Sequence, residues 1–232
     1  MDTVQWYATA ALRWPREVKN LDVKLEVAER VAARTADGDV VGIGSGSAAY
    51  LTLWAIGRRA QADGLSIQVI PTSYETEAAS VSLKLPLARL GQVAATWGVD
   101  GADEVDPHRR LLKGRGGALF REKLLWSTSR RMVLVIDPSK RVERLGSRFP
   151  MPIEVHPNAV EAVSARLSEL GCREAWLRTG DGKDGPVVTE NGFLLLDARF
   201  DEIPSGLHAA VKQLPGVLET GLFEGYEYEV VD

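Results

Sequence analysis

A short strand that runs through a glycine loop straight into a long helix constrains the fold of this chain more than any other feature. The β-branched run Asp39 to Ile43 precedes the loop 44–47, Gly-Ser-Gly-Ser, and a helical pattern follows from Ala48 to about Ala62. A strand, a glycine turn and a helix form the first half of a β-α-β unit, so the segment predicts a parallel sheet with helices on both faces.

The same alternation continues to about residue 149. Apolar residues at three- and four-residue spacing predict a helix from Leu21, with Asn20 as its N-cap, and further helices over Glu75–Leu83 and Ala118–Thr128. Other strands of this part are expected at Ser66–Ile70, Ala94–Val99 and Met132–Ile136. Of the 232 residues 45% are hydrophobic, which is enough for a real core. We therefore predict a Rossmann-like α/β domain over residues 20–149.

After residue 150 the order changes to β-α-β-β-α-β, which is that of a ferredoxin-like split unit. Strands are expected at Met151–Val155, Glu174–Arg178, Phe193–Phe200 and Val217–Phe223, and helices at Ala159–Leu170 and Gly206–Leu214. We predict a smaller ferredoxin-like α/β domain over 150–222. Residues 223–232 would return to the first sheet, and residues 1–19 would form an apolar N-terminal extension.

Charge and hydropathy exclude several classes of protein. A net charge of −4 argues against a general nucleic-acid-binding protein, whose surface should be basic. No apolar run approaches the ~20 residues that a bilayer requires. The N-terminus lacks the pattern of a secretory signal, and the lone Cys172 cannot form an internal disulfide. We therefore expect a cytoplasmic protein that acts on a small molecule and binds neither nucleic acid nor membranes.

The first glycine loop is a candidate anion site, because its backbone N–H groups and the following helix dipole both attract an anion. Residues 44–49, Gly-Ser-Gly-Ser-Ala-Ala, also satisfy a dinucleotide fingerprint, yet residues 69–72, Val-Ile-Pro-Thr, lack the acid that binds a ribose. A monophosphate fits better, and a purely structural turn is the other alternative. Lys24, inside the apolar stripe of the first helix, either extends its ammonium to solvent or holds it for an anion.

Four carboxylates lie within the seven residues Asp100 to Asp106, directly after a buried-looking strand. A solvated turn and a helix cap are the plain alternatives. A metal site is conceivable, but the segment lacks the EF-hand pattern and the three His residues have no recognisable ligand spacing. Because close like charges raise one another's pKa values, the segment suits proton transfer with a sugar hydroxyl.

A third segment, residues 113–123, reads Lys-Gly-Arg-Gly-Gly-Ala-Leu-Phe-Arg-Glu-Lys and lacks the order of a nucleotide-hydrolysing P-loop. Glu122 is its informative residue, because its helical neighbours at positions 118, 119, 125 and 126 are all apolar. A carboxylate in such a stripe is partly desolvated and becomes a better base near neutral pH. The alternative is a buried ion pair with Lys113, Arg115 or another cation.

In order and spacing, the segments 42–49, 100–106, 113–123 and 137–140 resemble the motifs of the ribose-5-phosphate isomerase type A family. The resemblance covers about residues 20–225 and implies a Rossmann-like domain with an α/β lid, so that residues 150–222 would serve as a lid and oligomerisation domain. It implies conversion of ribose 5-phosphate to ribulose 5-phosphate through an enediolate in the pentose phosphate pathway, with no metal and no organic cofactor. It also implies a homodimer or homotetramer.

The resemblance further implies a role for each residue of these motifs. Glu122 would be the general base, Lys113 would stabilise charge on the enediolate, and Asp100 and Asp103 would contact the sugar hydroxyls and ring oxygen. The phosphate and the rest of the substrate would be bound by Lys24, Ser45, Gly46, Ser47, Ala48, Gly101, Ala102, Gly114, Arg115, Gly116 and Lys140. For Lys24 this favours the anion over solvent.

Three other functions compete with this one. A non-catalytic sugar-phosphate sensor would share the fold but would not need Glu122 beside Lys113, and no basic helix-turn-helix module precedes residue 20. A dinucleotide-dependent oxidoreductase would use the loop 44–49. An isomerase of a related sugar phosphate is the nearest alternative, because Ala48 and Arg115 depart from the threonine and glycine that are common in the family.

Overall fold

The computed structural model describes residue 18, residues 20–182 and residues 184–232. Except for Val18, the predicted N-terminal extension therefore lies outside the described residues. In the described part the helices are α1 Leu21–Ala32, α2 Gly46–Asp63, α3 Tyr74–Ser82, α4 Leu119–Thr128, α5 Val160–Glu169 and α6 Leu207–Lys212. The strands are β1 Val40–Ile43, β2 Gln68–Pro71, β3 Trp97–Asp100, β4 Glu104–Val105, β5 Leu111–Leu112, β6 Met132–Val135, β7 Met151–Val155, β8 Cys172–Leu177, β9 Leu194–Phe200, β10 Val217–Thr220, β11 Leu222–Phe223 and β12 Glu229–Val231. None of these helices combines the length and apolar character that crossing a membrane requires.

The first sheet has the strand order β12-β6-β3-β1-β2, and all neighbouring strands are parallel. The predicted parallel sheet is confirmed, and the C-terminal segment joins it as β12. Side chains alternate along β1, so Val41 and Ile43 pack with α1 and α2, whereas Val40 packs toward Leu125 of α4. Gly42 lets α4 approach, because a Cβ there would overlap the Leu125 side chain. Helices thus cover both faces.

Strand order reverses between β1 and β3, which places the loops after these two strands at a topological switch point. The Gly44 N–H, directly after β1, donates to the Val99 carbonyl at 2.8 Å. The first glycine loop and the acidic segment therefore begin side by side at the carboxyl edge of the sheet. In open α/β sheets this edge is where ligands bind.

A second, antiparallel sheet has the order β10-β7-β9-β8. If these four strands are numbered 1 to 4 along the chain, their order in the sheet is 4-1-3-2. Helix α5 connects the first strand to the second, and α6 connects the third to the fourth. Its core includes Met151, Ile153 and Val155 of β7 together with Val163 and Leu167 of α5. The predicted ferredoxin-like order is confirmed. A small third sheet has the order β11-β5-β4.

The chain divides into two compact units that do not follow the predicted boundaries. The first unit comprises the described residues up to Gly101, then Leu124–Pro138 and Glu227–Asp232; the second comprises Ala102–Lys123 and Ser139–Tyr226. Residues 102–123 and 139–149, expected in the first part, belong to the second unit. The physical reason is that β4 pairs with β5, β5 pairs with β11, and Leu112 packs in the second core. The predicted domains, as independently folding parts, stay a prediction.

Two local predictions need correction. Asn20 occupies the N-cap position of α1, but its backbone is left-handed with φ 54° and its side chain makes no capping hydrogen bond. The single strand expected over 217–223 is two strands, β10 and β11, which pair with different neighbours. Gly221 marks the change, because its N–H donates to the Pro152 carbonyl and its own carbonyl accepts the Lys113 N–H.

Candidate active site

In the first unit, the first glycine loop forms the N-terminus of α2. Ser45 is the N-cap in an extended conformation, and the helix begins at Gly46, whose φ of 83° suits glycine. The N–H groups of Gly46, Ser47 and Ala48 occupy the first turn, where the helix itself supplies no acceptor. The loop therefore presents donors and the positive end of a helix dipole, an arrangement suited to a phosphate.

Lys24 lies against the same loop. From α1, its Nζ donates to Ser47 Oγ at 3.1 Å, and the residue is half-buried. The ammonium thus reaches the loop through the contact between α1 and α2 rather than extending away from the apolar stripe. This position adds a full positive charge to the first-turn amides.

Asp100, at the end of β3, is fully buried and tightly held. Its Oδ2 accepts the Trp126 Nε1–H at 2.8 Å, and its Oδ1 accepts the Gly101 N–H at 2.8 Å. A Cβ at Gly44 would overlap the Asp100 carboxylate, so glycine is required there for this side chain to lie against the first glycine loop. A Cβ at Gly101 would make ordinary contact with Ala48, at 3.7 Å.

In the second unit, Lys113 and Glu122 form a buried pair. Lys113 Nζ lies 3.3 Å from Glu122 Oε2, and the two side chains are 3% and 2% exposed. Lys113 directly follows β5, and Glu122 lies in the first turn of α4. The ion pair considered from the sequence is therefore present, with Lys113 as its cation. A carboxylate and an ammonium in contact, away from water, suit proton removal next to a developing negative charge.

Asp103 belongs to the same group of charges. One carboxylate oxygen accepts the Arg115 N–H at 3.2 Å. Burial raises the pKa of Asp103, while the charges of Lys113 and Lys140 oppose that shift and Glu122 adds a smaller increase. The sequence pattern predicts a raised pKa from repulsion between the neighbouring carboxylates of the acidic segment. Burial is instead its main cause.

Two of the four carboxylates in the acidic segment serve structure. Glu104 is fully buried and accepts three backbone N–H groups, from Gly146, Arg148 and Phe149, at 2.6 to 2.9 Å. Asp106 pairs with Arg110 at 2.7 Å. Glu104 thereby orders the chain after the 3₁₀ turn Pro138–Lys140, and the segment is neither a solvated turn nor a helix cap.

A second glycine loop, residues 114–117, is held in place by Arg178. Its guanidinium donates to the carbonyls of Gly114 and Arg115 at 3.0 and 2.8 Å and pairs with Asp197. The Arg115 guanidinium itself lies over the Phe149 ring at 4.8 Å. Lys140 Nζ lies 5.9 Å from the centroid of the same ring, and its charge also acts on Asp103. Of the other predicted contacts, Ala102 is half-buried and Gly116 is exposed.

The structure thus brings the predicted residues into two groups, one in each unit. The first contains Lys24, Asp100, Gly101 and residues 45–48; the second contains Asp103, Lys113, Glu122, Lys140 and residues 114–116. Within residues 20–182 and 184–232 no cluster of His, Cys, Asp and Glu side chains could hold a metal ion. Sequence reasoning missed Trp126 as the partner of Asp100, although its position four residues after Glu122 was a usable signal.

Comparison with known proteins identifies the family. The family model built from sequences of ribose 5-phosphate isomerase A, also named phosphoriboisomerase A, matches residues 68–231. The ribose-5-phosphate isomerase A of Methanothermobacter thermautotrophicus is 39% identical over 207 residues, which cover 88% of this chain and 91% of that protein. The protein of the same name from Synechococcus sp. is 44% identical over 207 residues, which cover 88% of this chain and 89% of that one.

Solved structures agree with these sequences. Ribose 5-phosphate isomerase A from Methanocaldococcus jannaschii superposes with a TM-score of 0.86 at 37% identity, covering 90% of this chain and 93% of the other. A D-ribose-5-phosphate isomerase solved in complex with phospho-erythronic acid has a TM-score of 0.85 at 36% identity, with the same coverage of both chains.

Proposed function

The chain belongs to the ribose 5-phosphate isomerase A family, and on that premise we propose that Glu122 is its general base and Lys113 its electrostatic catalyst. As a member it is an aldose–ketose isomerase that interconverts D-ribose 5-phosphate and D-ribulose 5-phosphate, a reaction of the pentose phosphate pathway. The observation that carries the assignment of roles is the buried pair of Glu122 and Lys113 at 3.3 Å.

The proposed reaction moves one proton between adjacent carbons. The Glu122 carboxylate removes the proton from C2 of the open-chain aldose, and the electrons of that C–H bond form the enediolate. The Lys113 ammonium stabilises the negative oxygen that develops. The proton of the C2 hydroxyl passes to O1, Glu122 returns the carbon-bound proton to C1, and the C2 carbonyl of the ketose forms. Because both side chains are at most 3% exposed, little water competes for the proton.

Asp100 and Asp103 are proposed to act on the sugar before this step. Burial raises the pKa of Asp103, so its carboxyl group holds a proton to a higher pH than an ordinary aspartate. It can therefore donate a proton to the ring oxygen as the bond between C1 and that oxygen breaks, while the anomeric hydroxyl gives its proton to solvent and becomes the C1 carbonyl. Asp100, fixed by Trp126 and Gly101, is suited to accept hydrogen bonds from sugar hydroxyls without moving.

The phosphate is proposed to bind at the N-terminus of α2 and Lys24. That a solved relative holds phospho-erythronic acid supports a phosphorylated sugar as the ligand class. The nearest competing functions also use a phosphate, so this part does not separate them. A non-catalytic sensor, however, has no use for a buried base paired with a cation, and Glu122 and Lys113 therefore favour the enzyme.

The activity itself is tested with wild-type protein in EDTA. We expect ribulose 5-phosphate to form from ribose 5-phosphate without added metal, because the proposed steps use only carboxylates and an ammonium. Absorbance or NMR detection of the ketose measures the rate. Folded protein that binds ribose 5-phosphate and never converts it would establish the sensor, and faster turnover of another pentose phosphate would establish a related isomerase.

Lys24→Met is expected to raise KM for ribose 5-phosphate about 10- to 100-fold with a smaller effect on kcat, because a charge-assisted contact to a non-reacting phosphate contributes about 1.5–3 kcal/mol. Inhibition by inorganic phosphate should weaken by a similar factor. Lys212→Met, which removes an exposed lysine in α6, is the control. If Lys24→Met leaves KM and phosphate inhibition unchanged, Lys24 is no phosphate ligand.

The oligomeric state and location stay predictions that rest on the resemblance. We propose a homodimer or homotetramer in the cytoplasm. Light scattering after size-exclusion chromatography distinguishes the two assemblies from a monomer.

A further inference from the structure

The segment Thr220–Phe223 is attached to two lysines of the second unit. The carbonyls of Thr220 and Leu222 accept hydrogen bonds from Lys123 Nζ at 2.7 and 2.8 Å. The carbonyl between them, that of Gly221, accepts the backbone N–H of Lys113 at 2.8 Å. A Cβ at Gly221 would overlap the Lys113 carbonyl oxygen, so the two backbones are in close contact. A displacement of this segment would therefore displace Lys113.

Lys123 uses its full hydrogen-bonding capacity at this place. Besides the two carbonyls, its ammonium donates to Glu219 Oε1 at 3.0 Å, and the side chain is only 8% exposed. An ammonium has three N–H donors, and these three acceptors match them. No water is needed to complete the shell. The ammonium thus fixes the end of β10 and the start of β11 to the first turns of α4.

The Phe223 ring links the two lysines a second time. Lys123 Nζ lies 4.7 Å from the ring centroid, and Lys113 Nζ lies 5.5 Å from it. The ring is 1% exposed. Cations at these distances are attracted to the ring, so Phe223 helps to define where the Lys113 ammonium rests.

We propose that protonated Lys123 is a positioning residue that holds the Lys113 ammonium against Glu122 through the segment Thr220–Phe223. This inference rests on the proposed function, since Lys113 and Glu122, whose relative position Lys123 would maintain, are themselves proposed to act on the substrate. Lys123 is not proposed to contact the substrate itself. It acts through Lys113.

Several charged groups surround Lys123. Glu219 of β10 and Glu224 favour its charged form, whereas Lys212 of α6 disfavours it. Nδ1 of His208, also on α6, lies 3.5 Å from Lys123 Nζ, and the Lys113 ammonium lies over the same Phe223 ring. Burial outweighs the acids and lowers the pKa of Lys123 to about 8. Burial also lowers the pKa of His208, so that ring is neutral above pH 7 and does not change charge where Lys123 does.

The sign of the pH effect follows from this pKa. Below about pH 7 Lys123 is an ammonium with three donors for three acceptors. Above a pH of about 8 it becomes an amine with two donors, and one acceptor of the segment loses its partner. The positioning effect is therefore complete at neutral pH and declines as the pH rises through 8.

The test compares Lys123→Met, Lys113→Gln and the double variant, measured as kcat per folded molecule. We expect Lys123→Met to lower kcat about 10- to 100-fold with little change in KM, because misplacement by about 1 Å costs about that much. In the Lys113→Gln background the same change should cost less than about 2-fold, because the residue through which it acts has lost its charge. Losses that multiply would overturn the proposal.

The pH dependence of kcat distinguishes a positioning role of Lys123 from a purely structural one. The ratio of wild-type kcat to Lys123→Met kcat should be constant up to about pH 7 and should shrink above about pH 8. Groups common to both proteins cancel in this ratio. A ratio that stays constant to about pH 9.5 would contradict the proposal. Lys212→Met, which removes another cation facing Glu219, is the matched control and should leave the kcat at pH 7 unchanged.

Further measurements distinguish a failure of this inference from a folding defect and from a failure of the proposed function. If Lys123→Met does not fold, Phe223→Leu replaces it: we expect a smaller loss in kcat, about 3- to 10-fold, that also vanishes in the Lys113→Gln background. If Lys113→Gln alone leaves kcat unchanged, the proposed role of Lys113 is wrong and this inference is wrong with it. If Lys113→Gln lowers kcat and Lys123→Met does not, only the inference is wrong.

Discussion

Glu122→Gln is expected to lower kcat about 10²- to 10⁴-fold, which is the usual contribution of a general base, while ribose 5-phosphate still binds. Glutamine keeps the size and one carbonyl oxygen of the side chain but cannot accept the C2 proton. The phosphate contacts of the α2 N-terminus and Lys24 remain. The change should therefore appear in kcat and in kcat/KM by the same factor, with little change in substrate affinity.

Two measurements check this expectation. Ketose formation gives kcat, and loss of the C2 proton signal in D₂O gives the proton-removal step directly. Glu154→Gln is the matched control, since Glu154 is another buried glutamate of the second unit. Its Oε1 accepts hydrogen bonds from the Thr189 hydroxyl and the Asn191 amide. If Glu122→Gln exchanged the C2 proton at the wild-type rate, another residue would be the base.

The elements and the location of the site could be predicted from local patterns. A β-branched run, a glycine loop and a helix are adjacent in sequence, so β1, its loop and α2 are visible without tertiary information. The apolar neighbours of Glu122 likewise report burial, because helical periodicity fixes which residues share a face. Glu122 is 1% exposed, as that pattern indicated.

The residues that support the site could not be predicted in this way. Lys123 lies one position after Glu122, but its partners Glu219, Thr220 and Leu222 are 96 to 99 residues away. No local pattern relates such positions. Glu104 and Asp103 are adjacent in one acidic run, and only the three backbone N–H groups from residues 146–149 make Glu104 structural. Sequence reasoning therefore locates chemical groups better than it assigns their partners.

Lys113→Gln is the second large effect that we expect, a fall in kcat of about 10²- to 10³-fold, typical of removing one group that stabilises a developing oxyanion. Glutamine retains an N–H donor and removes the positive charge, so the loss measures the charge rather than the side chain's bulk. The same change leaves Glu122 buried without its cation and should therefore also reduce the free energy of unfolding.

These two consequences of Lys113→Gln distinguish an ion pair that only stabilises the fold from one that acts in catalysis. In Lys113→Gln/Glu122→Gln no uncompensated carboxylate remains, so we expect urea unfolding to show recovery of part of the stability that Lys113→Gln loses. Turnover of the double variant should stay at or below that of Glu122→Gln. A purely structural pair would instead leave Lys113→Gln with nearly wild-type kcat once the unfolded fraction is subtracted. If Lys113 acts in catalysis, the enediolate that develops in Lys113→Gln has no cation beside it. The kcat of this variant should therefore fall even when all of the protein is folded.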